Sequence, residues 1–260
     1  MYMYVRELGN GTFGRVLLVY NTRLQRHEAV KCLKQDSPLP AQEEITFHGC
    51  LPPHKNVVEF YGVFVDREHL FLSMEYAPQG DLFNAISGKL LLEKTAAFYF
   101  RQVLEAVGHC HANGVAHRDV KLENLLLDGD TVKLCDFGYA CPIDSKVKRV
   151  VGTPVYLAPE VILKDPEASL EKADVWACGV VLYCMLVGKY PFAGESDYLQ
   201  VCKNIVSLNF SVPTNLTPEA RCILQRMLEP DYKKRPSVAD LKDHPWLDGW
   251  IGSPDSPVSS

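Results

Sequence analysis

Two short runs hold the residue types and spacing best suited to chemistry. His117-Arg118-Asp119-Val120-Lys121-Leu122-Glu123-Asn124 is followed, twelve residues after the asparagine, by Asp136-Phe137-Gly138. The first run carries an acid able to take a proton from a hydroxyl, a lysine beside it and an amide able to ligate a metal. The second carries an acid free to ligate Mg²⁺ and a glycine that lets the backbone bend. Two hard-oxygen ligands with a separate base suit an in-line displacement, in which positioning and charge stabilisation dominate over covalent work. A surface charge cluster would explain His-Arg-Asp alone, but not the whole run with Asp-Phe-Gly in register.

Elements must hold these runs in place. The first third of the chain reads as strands: Tyr4–Leu8 and Arg15–Tyr20 flank a glycine-bearing turn, and Glu28–Leu33 is a third β-prone run. Val57–Phe64 and Leu70–Glu75 read as a hairpin across Asp66-Arg67-Glu68. Between them Pro40–Cys50 reads as a helix with Glu43 and Glu44 in its first turns, where the helix dipole favours acids. From Asp81 the pattern turns helical, with amphipathic or apolar stretches at Leu92–His111, Ala173–Val187 and Pro218–Leu228. Strands followed by helices predict an α+β, bilobal arrangement, with Ala77-Pro78-Gln79-Gly80 as the hinge. Residues 249–260, rich in Gly, Ser and Pro, read as a disordered tail.

Gly9-Asn10-Gly11-Thr12-Phe13-Gly14-Arg15-Val16 lies between two predicted strands, and its glycines let backbone N–H groups approach phosphate oxygens. A hairpin turn also uses glycines. A dinucleotide-binding loop would need a helix after the last glycine, where Val16–Tyr20 reads as strand. Fifteen residues after Val16, in Ala29-Val30-Lys31, a lysine falls in the middle of an apolar strand, which is costly unless it is paired.

Together these runs resemble the eukaryotic serine/threonine protein kinase catalytic domain, a fold with a small β-rich lobe carrying one helix and a larger, mainly helical lobe. The resemblance continues through Gly152-Thr153-Pro154-x-Tyr156-x-Ala158-Pro159-Glu160, Asp174-Val175-Trp176 and Arg235, which is placed to pair with Glu160. It covers about residues 3–248: a first lobe to about 75, a hinge at about 76–80 and a second lobe from 81. The Leu186–Phe192 region and His244-Pro245-Trp246 further resemble the calcium/calmodulin-dependent kinase group.

The resemblance implies ATP and Mg²⁺ as cofactors. It makes Asp119 the base and Lys121 the group that stabilises the transferred phosphoryl charge, with Asn124 and Asp136 as metal ligands. Gly9, Gly11 and Gly14 would cover the phosphates, and Lys31 would hold them while pairing with Glu44. Glu43 competes for that pairing, because the Pro52-Pro53 insertion blurs the register. Glu75 and Ala77 would contact the base through their backbone, Met74 would guard the back of the pocket, and Leu8, Val16, Ala29 and Leu126 would sandwich the adenine. Asp81 would bind the ribose or a basic substrate side chain.

Lys121 and Gly152-Thr153 are serine/threonine-specific forms, so protein substrates with Ser/Thr acceptors are expected. Glu123 and Asp81 would attract an upstream arginine. Cys184, standing where strongly basophilic relatives place a glutamate, limits this to a moderate basic preference. Where many kinases carry an activating phosphothreonine, this chain has Arg149, and Ser145 is the one hydroxyl residue between Tyr139 and Gly152. The expectation is activity without activation-loop phosphorylation. His48 falls where an apolar residue is usual, either loosening the active arrangement or packing on Phe137.

Hydrophobic content of 47% and charge of 23% are those of an ordinary globular protein. A net charge of −5 argues against a nucleic-acid partner held by phosphate neutralisation. With no apolar run of membrane-spanning length and no signal-like N-terminus, the nine cysteines, an odd number without Cys-x-x-Cys spacing, are expected as reduced thiols in the cytoplasm or nucleus. Cys135 reads as a packed thiol unless it faces a pocket. A monomer is expected. A pseudokinase scaffold is the rival reading, opposed by the presence of Lys31, Asp119 and Asp136; a small-molecule phosphotransferase is opposed by the complete Gly152–Glu160 segment.

Overall fold

A computed structural model describes residues 1–11, 14–33, 38–66, 69–87, 89–192 and 197–249, with nothing stated of the side chains of 11 and 38–41. Strands β1 (Tyr2–Gly11), β2 (Gly14–Asn21), β3 (Arg26–Leu33), β4 (Phe60–Asp66) and β5 (His69–Glu75) form one antiparallel sheet in the order β1-β2-β3-β5-β4. Period-2 alternation puts Ala29, Lys31 and Leu33 of β3 on one face, where Ala29 and Leu33 join Val58, Leu72 and Met74 in a small core. Gly14 is required where β2 begins. A Cβ there would lie 2.0 Å from the Cys32 carbonyl oxygen, and its φ is +153°.

Helix α1 (Pro38–Cys50) begins earlier than its charge pattern predicts, so Glu43 and Glu44 sit beyond the first turn and the dipole does not explain them. The predicted hairpin also begins late, at Phe60. The Val58 N–H is bonded to the Leu134 carbonyl, and the Asn56 carbonyl accepts from the Leu134 N–H. Val57 and its neighbours therefore pair with the second lobe instead of extending β4.

Beyond the hinge come α2 (Leu82–Ile86), α3 (Glu93–Ala112), α4 (Pro159–Ile162), α5 (Leu170–Val187), α6 (Tyr198–Val206), α7 (Pro218–Met227), α8 (Val238–Lys242) and α9 (Pro245–Asp248). They are interrupted by the short ribbons β6 (Val115–Ala116) with β9 (Cys141–Pro142), and β7 (Leu125–Asp128) with β8 (Thr131–Leu134). Helix α5 is apolar all round because it is buried all round, as expected of a central helix. Its start moves back to Leu170 because the Ser169 side chain caps the first turn through the Lys172 N–H, and Gly188 closes it in the left-handed conformation. In α3, Tyr99, Phe100, Val103, Leu104 and Val107 form the buried stripe. The tail expected at 249–260, apart from Gly249, lies outside the described residues.

Candidate active site

On β3, Lys31 is buried yet fully paired. Its Nζ lies 2.7 Å from Glu44 Oε2 on α1 and 2.8 Å from Asp136 Oδ1. Glu44, not Glu43, is thus the helix partner; Glu43 faces Arg149 at 3.9 Å. Burial alone would lower the Lys31 pKa, but the two carboxylates hold it above its ordinary value. Burial would likewise raise Asp136, and the Lys31 ammonium holds it below the usual carboxylate range. Both groups are therefore charged at neutral pH.

The loop carrying Asp119 hangs from α5. Asp174, at the buried start of that helix, accepts the N–H groups of His117 and Arg118, both at 2.8 Å, and pairs with His111 at 2.9 Å. Burial works to raise its pKa, but His111 and the His117 N–H hold it low, so the anchor is ionised. Two non-glycine residues at the site take left-handed backbone, Arg118 (φ 67°) and Asp136 (φ 63°). Such geometry costs energy and persists where the surroundings fix it, as Asp174 and Lys31 do here.

Asp119 sits at the end of this scaffold. Its Oδ1 accepts from the Thr153 N–H at 3.0 Å and hydroxyl at 2.9 Å; its Oδ2 accepts from Lys121 Nζ at 2.7 Å and Asn124 Nδ2 at 3.1 Å. Burial would lower the Lys121 pKa, but the Asp119 carboxylate raises it and keeps the cation. Asn124 turns its amide nitrogen toward Asp119, and Asp136 uses Oδ1 on Lys31. The remaining face of each is an oxygen, the donor type that Mg²⁺ takes. Among the described residues no cluster of three or more His, Cys, Asp or Glu could hold a metal by itself.

A cavity of about 500 Å³ opens between the lobes. Leu8, Gly9, Gly14, Val16, Ala29, Lys31, Glu44, Met74, Glu75, Ala77, Asp81, Asn124, Leu126 and Asp136 all line it. Asp119 and Lys121 stand outside that lining, Asp119 bordering a separate cleft with Thr153 and Tyr156. Gly11 ends β1 opposite Gly14, while Thr12 and Phe13 lie outside the described residues. Asp81 also caps α2 through the Asn84 N–H. The sequence reading did not place Arg6, Val58 or Tyr76 in the lining. For Val58 the signal was masked by its apparent membership of a strand; for Arg6 and Tyr76, which share a 3.2 Å hydrogen bond, there was none. Cys135 does face the cavity, but burial pushes its thiol well up, leaving it protonated and packed.

Around this centre, Arg235 and Glu160 form a buried bidentate pair at 2.7 and 3.0 Å. Arg118 gives its guanidinium to two main-chain carbonyls, Tyr139 at 3.4 Å and Arg149 at 3.2 Å. His48 packs flat against Phe137, the second of the two outcomes open from the sequence.

Residues 2–247 match the protein kinase domain family. The chain is 39% identical over 259 residues to the serine/threonine-protein kinase SAPK9 of Oryza sativa subsp. japonica, covering 95% of this chain and 71% of that protein. It is 38% identical over 259 residues to the serine/threonine-protein kinase SRK2I of Arabidopsis thaliana, again 95% of this chain and 71% of that protein. Identity to SRK2F of the same plant is 39%, over 95% of this chain and 73% of that protein.

Proposed function

Since this chain belongs to the protein kinase family, we propose that it acts with Asp119 as base, Mg²⁺ at Asn124 and Asp136, and an activation segment that needs no phosphate. The reaction is that of a serine/threonine protein kinase: the γ-phosphoryl group of ATP passes to serine or threonine hydroxyls of proteins.

In this reading Leu8, Val16, Ala29 and Leu126 hold the adenine, and Lys31, kept cationic by two carboxylates, orients the phosphates. Asn124 and Asp136 would hold Mg²⁺ through their outward oxygens, and the cation would supply charge neutralisation at the phosphates. Asp119 receives the acceptor hydroxyl's proton. Lys121, 2.7 Å from Asp119, stabilises the charge of the phosphoryl group in transit, and Thr153 keeps the Asp119 carboxylate from rotating. Glu123 at the cavity edge supports a moderate preference for an upstream basic residue. The nine free cysteines support a cytoplasmic or nuclear setting. The Leu186–Phe192 and His244–Trp246 features support a place near the calcium/calmodulin-dependent group.

The observation that carries the reading is that Lys31–Glu44, Lys31–Asp136 and Asp119–Thr153 are all closed while Arg118 is held by the Tyr139 and Arg149 carbonyls. A phosphate is therefore not needed to engage Arg118. Phosphatase-treated protein, checked by mass spectrometry, should keep its kcat on a peptide substrate to within about two-fold, as should Ser145→Ala. Loss of activity on treatment, recovered with phosphate at Ser145, would contradict the reading.

A further inference from the structure

His48 sits near the end of α1 at 2% exposure. Its ring lies over Phe137, with centroids 4.5 Å apart and planes 23° from parallel, and is tilted against Phe60 at 5.2 Å. Its Nε2 is 2.5 Å from the Val58 carbonyl oxygen. A carbonyl only accepts, so Nε2 carries the proton and donates. The same Val58 donates its N–H to the Leu134 carbonyl at 2.9 Å, two residues before Asp136. His48 therefore holds both flanks of Asp136, through the main chain of Val58 and Leu134 on one side and through the Phe137 ring on the other. One turn earlier on the same helix, Glu44 holds Lys31, which holds Asp136 directly.

We propose that His48 is a positioning residue for phosphoryl transfer, its Nε2–H bond to Val58 setting the seat of α1 against the Asp136-Phe137 segment. An apolar ring at this place would also pack on Phe137, but would leave the buried Val58 carbonyl without this donor. The hydrogen bond, beyond the ring contact, is what fixes the approach of Glu44 and Asp136 to Lys31. The inference rests on Asp136 as a metal ligand.

The test compares His48→Phe, which keeps an aromatic ring, with His48→Gln, which keeps an N–H donor, in the full chain. His48→Phe should lower kcat on a peptide about ten-fold, the factor carried by one buried hydrogen bond. It should also shrink the gain in ADP affinity that Mg²⁺ brings, while ADP binding without metal stays as in the parent. His48→Gln should restore both to within about three-fold. A His48→Phe protein with the parental kcat and Mg²⁺ response overturns the proposal, as does His48→Gln performing no better than His48→Phe. A lower Tm with an unchanged Mg²⁺ response would show a merely structural role and also overturn it. Should His48→Phe not fold, ¹⁵N NMR of the parent decides: the Nε2–H tautomer supports the bond to Val58, and the Nδ1–H tautomer contradicts it. Asp136→Asn separates this inference from its premise. If Mg²⁺ still raises ADP affinity in that variant as in the parent, the metal assignment itself fails.

Discussion

At the scale of single residues, the Asp119 carboxylate is held by four donors before any substrate arrives: two from Thr153, one from Lys121 and one from Asn124. A side chain fixed this way presents its oxygens in one orientation, which is what acceptance of a proton from a positioned hydroxyl requires. His48 is held by one hydrogen bond, from Nε2 to the Val58 carbonyl, and by ring packing on Phe137 and Phe60. Burial pushes its imidazole from 6.5 down to about 4, against the opposing pull of the Val58 carbonyl, and the Lys31 cation pushes the same way as burial. The folded state thus binds fewer protons than the unfolded chain between these values. The penalty is absent above pH 6.5 and grows as pH falls toward 4, reaching about 3 kcal/mol. Urea unfolding of the parent and His48→Gln at pH 7.5 and 4.5 (values chosen at about one unit above and two below the ordinary pKa) should show the parent losing more stability by roughly that amount; parallel losses would refute the assignment.

Residue types and spacing in the sequence singled out Lys31, Asp119, Asn124 and Asp136 as candidates, and the structure brings them together: Lys31 pairs with Asp136 and Asn124 bonds Asp119. What the spacing does not carry is contact across distance. Lys31 and Asp136 are 105 positions apart, and their ion pair depends on how the two lobes meet. Whether Glu43 or Glu44 faces Lys31 is set by the rotation of α1, which its weakly patterned sequence does not specify. The partners of Arg118 are main-chain carbonyls, which leave no mark on residue identity.

At the scale of elements, α5 carries the heaviest structural duty. It is buried at every residue from Asp174 to Leu186, anchors the loop carrying Asp119 through Asp174 and packs closely against α7 at Gly179. A Cβ on Gly179 would stand 2.9 Å from Met227 Cβ and 3.0 Å from Leu228 Cδ2, so no side chain fits without moving α7. Gly179→Val should lower stability by about 2 kcal/mol through overpacking, read as a drop in Tm, with the KM for ATP little changed. An unchanged Tm would show that α7 moves at no cost. Helix α3 was legible because many periods of pattern accumulate along it, and α5 because its apolar run is too long for a strand. The ribbons β6 to β9, two to four residues each, are too short to show alternation and exist because tertiary contacts hold them.

At the scale of the whole molecule, the two lobes meet around one cavity, and three of the contacts that join them gather about Asp136: Lys31 directly, Val58 through Leu134, and His48 through Phe137. Lys31 and Asp136 are thus tied to one frame, with Arg118 hydrogen-bonded to the main chain of the segment that follows Asp136. The central claim is that this frame delivers phosphoryl transfer with Asp119 as base. Single-turnover transfer from Mg-ATP to a serine peptide, compared between the parent and Asp119→Asn, tests it most directly. The account predicts a rate about 10³-fold lower in the variant with ATP binding retained; transfer at the parental rate in Asp119→Asn would contradict it.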